Sequence, residues 1–146
     1  STMEGFTAEE TNESSFLDLG NLDDVPDLGT VPDGTEAQLQ ISSLEVRSQK
    51  PEKGTGKFVM ATFDIVGEPN TKRISHVMML PAEGDDEKKR NSRLRAIRTF
   101  YEAFAIPTSG QVNMEDYVGN TGWAILAEEE DKDYGMQNRV RKFIAA

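Results

Sequence analysis

Acidic and basic residues are unevenly distributed along this chain, and this limits where a folded core can form. The first 36 of the 146 residues contain ten acids and neither lysine nor arginine. The remaining residues contain 16 acids and 16 bases, so the formal charge of −10 belongs entirely to the N-terminal stretch. A stretch of this composition buries too little apolar surface to offset the entropy of ordering. We therefore expect one core, formed by the residues that follow.

Residues 1–33 are predicted to form an acidic, disordered and flexible N-terminal arm, whose first two residues are interpreted as a cloning remnant before Met3. The arm shows no sustained helical or strand period. One stretch differs because apolar residues stand among acids, and its members are Phe16, Leu17, Asp18, Leu19 and Leu22. We interpret this stretch as a partner-docking segment, or as a polyanion that occupies a cationic groove of the folded body. A solvated linker is the alternative.

Residues 34–146 show a strand-rich pattern with one helix. Apolar and polar residues alternate around Leu39 and Ile41, and a shift of this alternation at residues 42 and 43 predicts a β-bulge. Further strands are predicted over residues 57–66, 73–80, 123–127 and 136–144. A helix is predicted between the third and fourth strands from an apolar stripe made of Leu94, Ile97, Tyr101 and Phe104.

Three strands, a helix and then a hairpin of two strands is the layout of the OB-fold. The predicted fold class is therefore all-β with one inserted helix, a five-stranded barrel with the helix between strands 3 and 4. OB-folds bind oligonucleotides on their strand faces and on the loops after strands one and four. The fold alone supports a function only by analogy.

Catalytic chemistry finds little support in the composition. The chain contains one histidine, His76, and no cysteine, which excludes thiol nucleophiles and disulfides and fits a reducing cytoplasm. The acidic clusters lack the alternating ligand spacing of a calcium loop. We expect neither an enzyme nor a cofactor or metal site. No apolar run approaches 18 residues and no signal-peptide pattern is present, so we expect no membrane association and no export by that route.

Nucleic-acid binding is better supported, because bases and aromatic residues are interleaved along the body. Proteins that bind single strands combine cationic grooves with aromatic side chains on which bases stack. We expect Lys57, Arg73, Arg139 and Lys142 to contact phosphates, and Phe58, Trp123 and Tyr134 to stack on bases, with core packing as the alternative for the first two rings. The predicted single-stranded DNA (ssDNA) site comprises Lys50, Lys53, Lys57, Phe58, Arg73, Trp123, Tyr134, Arg139 and Lys142. A second basic cluster on the helix is interpreted mainly as solvated surface.

An ordered set of short segments carries a resemblance that covers about residues 31–144. These segments are residues 32–37, 49–56, 63–65, 95–104, 117–119 and 133–143. Together they resemble a family of small proteins from tailed bacteriophages and prophages, regarded as ssDNA-binding proteins of replication and recombination. The resemblance implies an OB-fold, sequence-tolerant ssDNA binding and the cytoplasm of an infected bacterial host. Many single-strand binders carry an acidic C-terminal tail, whereas the acid here lies at the other end.

Two other functions compete with this interpretation. One is a β-barrel adaptor of a phage assembly without a DNA role, and the other is an acidic DNA mimic that inhibits a host enzyme. A mimic requires acids spread over a folded face, whereas the surplus here lies in the arm. Expected partners are ssDNA, phage replication or recombination proteins bound through the arm, and a second copy in a homo-oligomer.

Overall fold

Five antiparallel strands form a single open sheet in a computed structural model that describes residues 15–54 and 56–145. The strands are β1 (Glu36–Ser48), β2 (Lys57–Ile65), β3 (Ile74–Met79), β4 (Thr121–Asp131) and β5 (Gly135–Ile144), and one helix, α1 (Glu87–Ala103), follows β3. Their order in the sheet is β3-β2-β1-β4-β5. The predicted mostly-β fold with one helix is therefore confirmed.

The long strand β1 is central because it pairs with both β2 and β4. Its first five residues pair with β4, and the pairing with β2 extends from Leu39 to the end of the strand. A register shift between Ile41 and Ser43 confirms the predicted bulge, which lies just beyond the last β4 pair, Gln40 with Thr121. A bulge bends the strand and increases its twist, so the two halves of β1 serve different neighbours.

The core lies on one face of this curved sheet and is rich in phenylalanine. Alternation places Val59, Ala61, Phe63 and Ile65 of β2 on the buried face. The ring of Phe63 stacks on Phe104 at a centroid distance of 5.2 Å. Gly122 of β4 permits the close approach of the segment that carries Phe104, because a Cβ there would lie 2.5 Å from the carbonyl oxygen of Ala103 and 3.0 Å from the Phe104 ring.

Helix α1 contributes most of the predicted apolar stripe to the core: Ile97 and Phe104 are buried and Tyr101 packs against them, whereas Leu94 does not. Its buried residues are Ile97, Phe100 and Ala103, and Phe104 follows directly as the C-cap. Leu94 stays 40% exposed. Apolar spacing indicated a helix, but the sheet covers only its C-terminal half. The first turns of the helix therefore extend beyond the core.

Of the predicted arm, residues 1–14 lie outside the described part, residues 15–28 are exposed, and residues 29–33 are hydrogen-bonded to the sheet. The Gly29 amide donates to the Asn70 carbonyl at 2.8 Å, and the Val31 amide donates to Asn138 Oδ1 at 2.9 Å. The Asn138 side chain returns a hydrogen bond to the Val31 carbonyl. The outer strands of the sheet are β3 and β5. This anchored segment connects them, because it is bonded to the turn before β3 and to β5.

Asp33 ends the anchored segment, and its carboxylate accepts three hydrogen bonds. Arg141 donates to both of its carboxylate oxygens at 2.8 and 2.9 Å, and the Glu128 amide donates to Oδ1. The Arg141 hydrogen bond, followed by that of the Glu128 amide, lowers the pKa of Asp33. The carboxylate therefore stays charged, and paired with Arg141, at neutral pH.

Candidate nucleic-acid interface

A groove of about 510 Å³ separates β3 from the hairpin that joins β4 to β5. We call it the hairpin groove. Arg73, Ser75 and Val77 form one wall, since alternate residues of an extended chain face the same side. The opposite wall includes Tyr134 and Arg139. Three of the predicted ssDNA-binding residues, one aromatic and two cationic, thus share one concave surface.

The side chain of Lys72, just before β3, is hydrogen-bonded to the backbone of the hairpin. Lys72 Nζ donates to the carbonyl of Tyr134 at 3.3 Å and to that of Met136 at 2.8 Å. Within the turn, Asp131 Oδ1 accepts from the amides of Asp133 and Tyr134. The Tyr134 side chain nevertheless remains 74% exposed. A ring on a restrained backbone loses little further entropy when a flat ligand stacks on it.

The two groove arginines are partly neutralised by carboxylates. Arg73 Nε donates to Asp64 Oδ1 at 3.1 Å, and Arg139 lies 3.6 Å from Asp131 Oδ2. Each partner retains roughly a third or more of its side-chain exposure, and exposed pairs of this kind contribute only about 0–1 kcal/mol. A phosphate oxygen can therefore replace either carboxylate at small cost.

An apolar strip on the outer face of β2 and β3 continues the groove. Phe58 lies between Arg47 and Met79 in the strand register, and Met60 lies opposite Val77. Val77 belongs both to this strip and to the hairpin groove. The outer strip is therefore defined by Phe58, Met60, Val77 and Met79, and it joins the groove without interruption.

The predicted lysines lie at the opposite end of the outer strip from the groove. Lys50 precedes and Lys53 ends the short 3-10 turn Pro51–Lys53 between β1 and β2, and Lys57 begins β2. All three are exposed. The described surface thus runs from a lysine loop, over apolar side chains, to two arginines and a tyrosine. The six residues of β3 along it span about 20 Å.

Trp123 and Lys142 lie elsewhere on the sheet. Trp123 pairs with Gln38 and Ile144, and Lys142 pairs with Ile125, so both belong to the outer face of β4 and β5. Phe58 pairs with Arg47, near the other end of β1 from Gln38. The structure therefore does not bring these two residues to the surface that contains Phe58, Arg73, Tyr134 and Arg139.

Several residues of this surface were not predicted from the sequence. Met60 was recognisable as outward-facing from the alternation in β2, but Val77 and Met79 join it only through the register of β2 with β3. Lys72 was not among the predicted binding residues, and its ammonium group donates to the carbonyls of Tyr134 and Met136 in the hairpin. No local pattern reports such a contact between residues 62 and 64 positions apart.

The single histidine of the chain lies at the base of the hairpin groove. His76 contacts the ring of Phe143 edge-on, with 5.1 Å between the ring centroids. Burial lowers the pKa of His76 below its ordinary value. The imidazole is therefore neutral at neutral pH and adds no charge to the groove.

No protein-family model matches the chain, and a search of curated proteins returns no significant match. Within residues 15–54 and 56–145, no cluster of three or more His, Cys, Asp or Glu side chains is placed to hold a metal ion. No helix in the same residues is long and apolar enough to cross a membrane.

Proposed function

We propose that this chain is a sequence-nonspecific ssDNA-binding protein that supports phage DNA replication or recombination in the cytoplasm of the infected bacterium. The observation that carries the proposal is the continuity of the outer strip with the hairpin groove. Aromatic and apolar side chains for bases thereby lie beside arginines for phosphates, which is the combination that single-strand binders use.

An OB-fold barrel is part of this proposal. Three features support it: β1 pairs with both β2 and β4, the helix follows β3, and the outer strands β3 and β5 approach each other. The approach is seen in the contact of His76 with Phe143 and in the segment from Gly29 to Val31 that connects the two edges. In OB-folds, the face of strands 2 and 3 and the loop between strands 4 and 5 bind oligonucleotides.

The chemistry of binding follows from the neighbours of each group. The exposed Tyr134 ring and the half-buried Phe58 ring stack on bases, and each stack contributes about 1–3 kcal/mol. Arg73 and Arg139 exchange their carboxylate partners for phosphates. Every base offers a π-face, so stacking of this kind tolerates any sequence.

The proposal is tested by fluorescence anisotropy with labelled oligo-dT, the corresponding duplex and a single-stranded RNA, each at several salt concentrations. We expect oligo-dT to bind more tightly than the duplex, with an affinity that falls steeply as salt rises because counterions are released from phosphates. Absence of oligo-dT binding at low salt, for a chain whose circular dichroism indicates a folded sheet, would contradict the proposal and favour the adaptor.

A further inference from the structure

Helix α1 carries a strong excess of positive charge. Its 17 residues include six bases and two acids. Lys89 and Arg93 pair with Asp85, the residue just before the N-cap. Arg95 and Arg98 form no ion pair with any described residue. Two unpaired guanidinium groups, a turn apart on one helix, are available to an anionic partner.

These two arginines border a second groove, which we call the helix groove. Its apolar floor consists of Leu80 after β3 and of Leu94, Ile97 and Tyr101 from α1. The groove encloses about 690 Å³, which lies within the range of about 300–1,000 Å³ of ligand pockets. Leu94 is 40% exposed there, so the groove presents an apolar surface between two cations.

The described part of the arm has the complementary chemistry. Residues 15–28 include four aspartates and no base. Their large apolar side chains are between 58% and 91% exposed, and these are Phe16, Leu17, Leu19, Leu22, Val25 and Leu28. Contiguous exposed apolar residues mark interaction sites. The three leucines at 17, 19 and 22 thus stay largely exposed on their own chain, although residues 29–33 are anchored to the sheet.

We propose that residues 15–28 of one copy dock in the helix groove of a second copy. Leucine side chains of the segment cover the apolar floor, and its aspartates pair with Arg95 and Arg98. The contact is heterologous, because the arm and the groove are different surfaces, so it joins copies head to tail. This inference is independent of the proposed ssDNA binding, since neither groove arginine belongs to the outer strip or the hairpin groove.

Self-association of the full chain tests the proposal in sedimentation-velocity runs over a series of concentrations at about 0.15 M salt, where separated surface charges are screened. We expect concentration-dependent association that weakens roughly tenfold or more in a chain with Arg95→Glu and Arg98→Glu. The matched control is Arg90→Glu, an exposed position of the same helix that does not line the groove. We expect it to associate like the unmodified chain.

A mixing experiment separates a lost contact from a lost fold. A chain with Leu17→Ser and Leu19→Ser keeps its helix groove, and the Arg95→Glu/Arg98→Glu chain keeps its arm. Each alone should be monomeric, and an equimolar mixture should recover association, because an intact arm then meets an intact groove. A labelled peptide of residues 15–28 should bind the arm variant and not the groove variant.

Three results would overturn the proposal. The first is a full chain that stays monomeric at every concentration while the peptide binds the arm variant, which would seat the arm in its own groove. The second is an equimolar mixture without recovered association. The third is a groove variant that loses oligo-dT affinity with unchanged self-association, which would assign the helix groove to nucleic acid.

Discussion

The hairpin groove and the helix groove both contain two arginines, but they differ in what surrounds those arginines. In the hairpin groove, Arg73 and Arg139 lie near Asp64 and Asp131, and the adjacent ring of Tyr134 is exposed. In the helix groove, the arginines have no carboxylate partner among the described residues, and the floor consists of Leu80, Leu94, Ile97 and the half-buried ring of Tyr101. The first surroundings suit exchange with phosphates beside a stacked base, and the second suit an acidic, leucine-rich peptide.

An arginine guanidinium thus suits different partners according to the side chains around it. A guanidinium beside an exposed ring offers a phosphate contact and a stacking platform together. A guanidinium at the rim of an apolar groove adds charge selectivity to a contact whose affinity comes from buried apolar area. Five predictions test whether the two surfaces are as separate as this difference implies.

The largest effect is expected where both surfaces depend on one core. Phe100→Ala removes a fully buried ring that contacts Phe63, Phe104 and Phe143, so it should lower the free energy of unfolding by about 3–5 kcal/mol. Urea denaturation measures this value. The exposed neighbour Glu102→Ala serves as control and should change stability by less than about 0.5 kcal/mol. A loss below about 1 kcal/mol for Phe100→Ala would contradict the described packing.

Stacking residues should separate the hairpin groove from the rest of the sheet. Tyr134→Ala should weaken oligo-dT binding by about 1–3 kcal/mol, because a base loses its exposed platform. Trp123→Ala is the matched control, since this ring is also exposed but lies on the outer face of β4. Equal losses of oligo-dT affinity from the two substitutions in anisotropy titrations would refute the separation of the hairpin groove from the outer face of β4. Self-association should be unchanged in both variants.

Phosphate contacts should appear in the salt dependence. Arg73→Gln and Arg139→Gln should each weaken oligo-dT binding and reduce the slope of log K against log salt by about 0.7, the value for one phosphate of a single strand. Lys132→Gln, on the same hairpin but outside the groove lining, is the control. An unchanged slope in both arginine variants would exclude them as phosphate ligands.

The arm provides a smaller electrostatic test of the predicted autoinhibition. Its anchor at Gly29 bridges to Thr71, two residues before Arg73, so the acidic segment begins beside the hairpin groove. Replacing Asp18, Asp23, Asp24 and Asp27 by Asn should raise oligo-dT affinity a few-fold, by about 1 kcal/mol or less, at low salt. Unchanged oligo-dT affinity would refute occupation of the hairpin groove by the arm. Docking in the helix groove of a second copy would then be the remaining role of the arm.

The smallest expected effect is the pH dependence contributed by His76. Burial lowers its pKa in the folded state, while the unfolded chain keeps the ordinary value of about 6.5. The contribution of the neutral imidazole is therefore complete above pH 6.5 and is lost as pH falls through the lower folded-state pKa. The free energy of unfolding in urea should therefore fall less between pH 7 and pH 5 in the His76→Gln variant than in the unmodified chain. An equal fall in the two chains would assign the pH dependence to other groups.

Much of the fold could be predicted because strands and helices leave local periodic patterns. The alternation around Leu39 and Ile41 predicted the first strand, in which both residues are buried, and the shift at residues 42 and 43 predicted the bulge. The site was predicted less completely. Arg73, Tyr134 and Arg139 were selected for their chemistry, but the same reasoning selected Trp123 and Lys142, which lie on another face.

Local pattern thus specified the charge distribution, the element order and the alternation at the start of β1, because each depends on neighbours a few residues apart. The tertiary structure placed Val77 beside Met60, engaged Lys72 with the hairpin and anchored residues 29–33 between the outer strands. These contacts join residues far apart in the chain, through hydrogen-bond register and side-chain packing that no periodicity encodes. Composition supplied arginines and aromatic rings, and contacts between distant residues brought Arg73, Tyr134 and Arg139 into one groove.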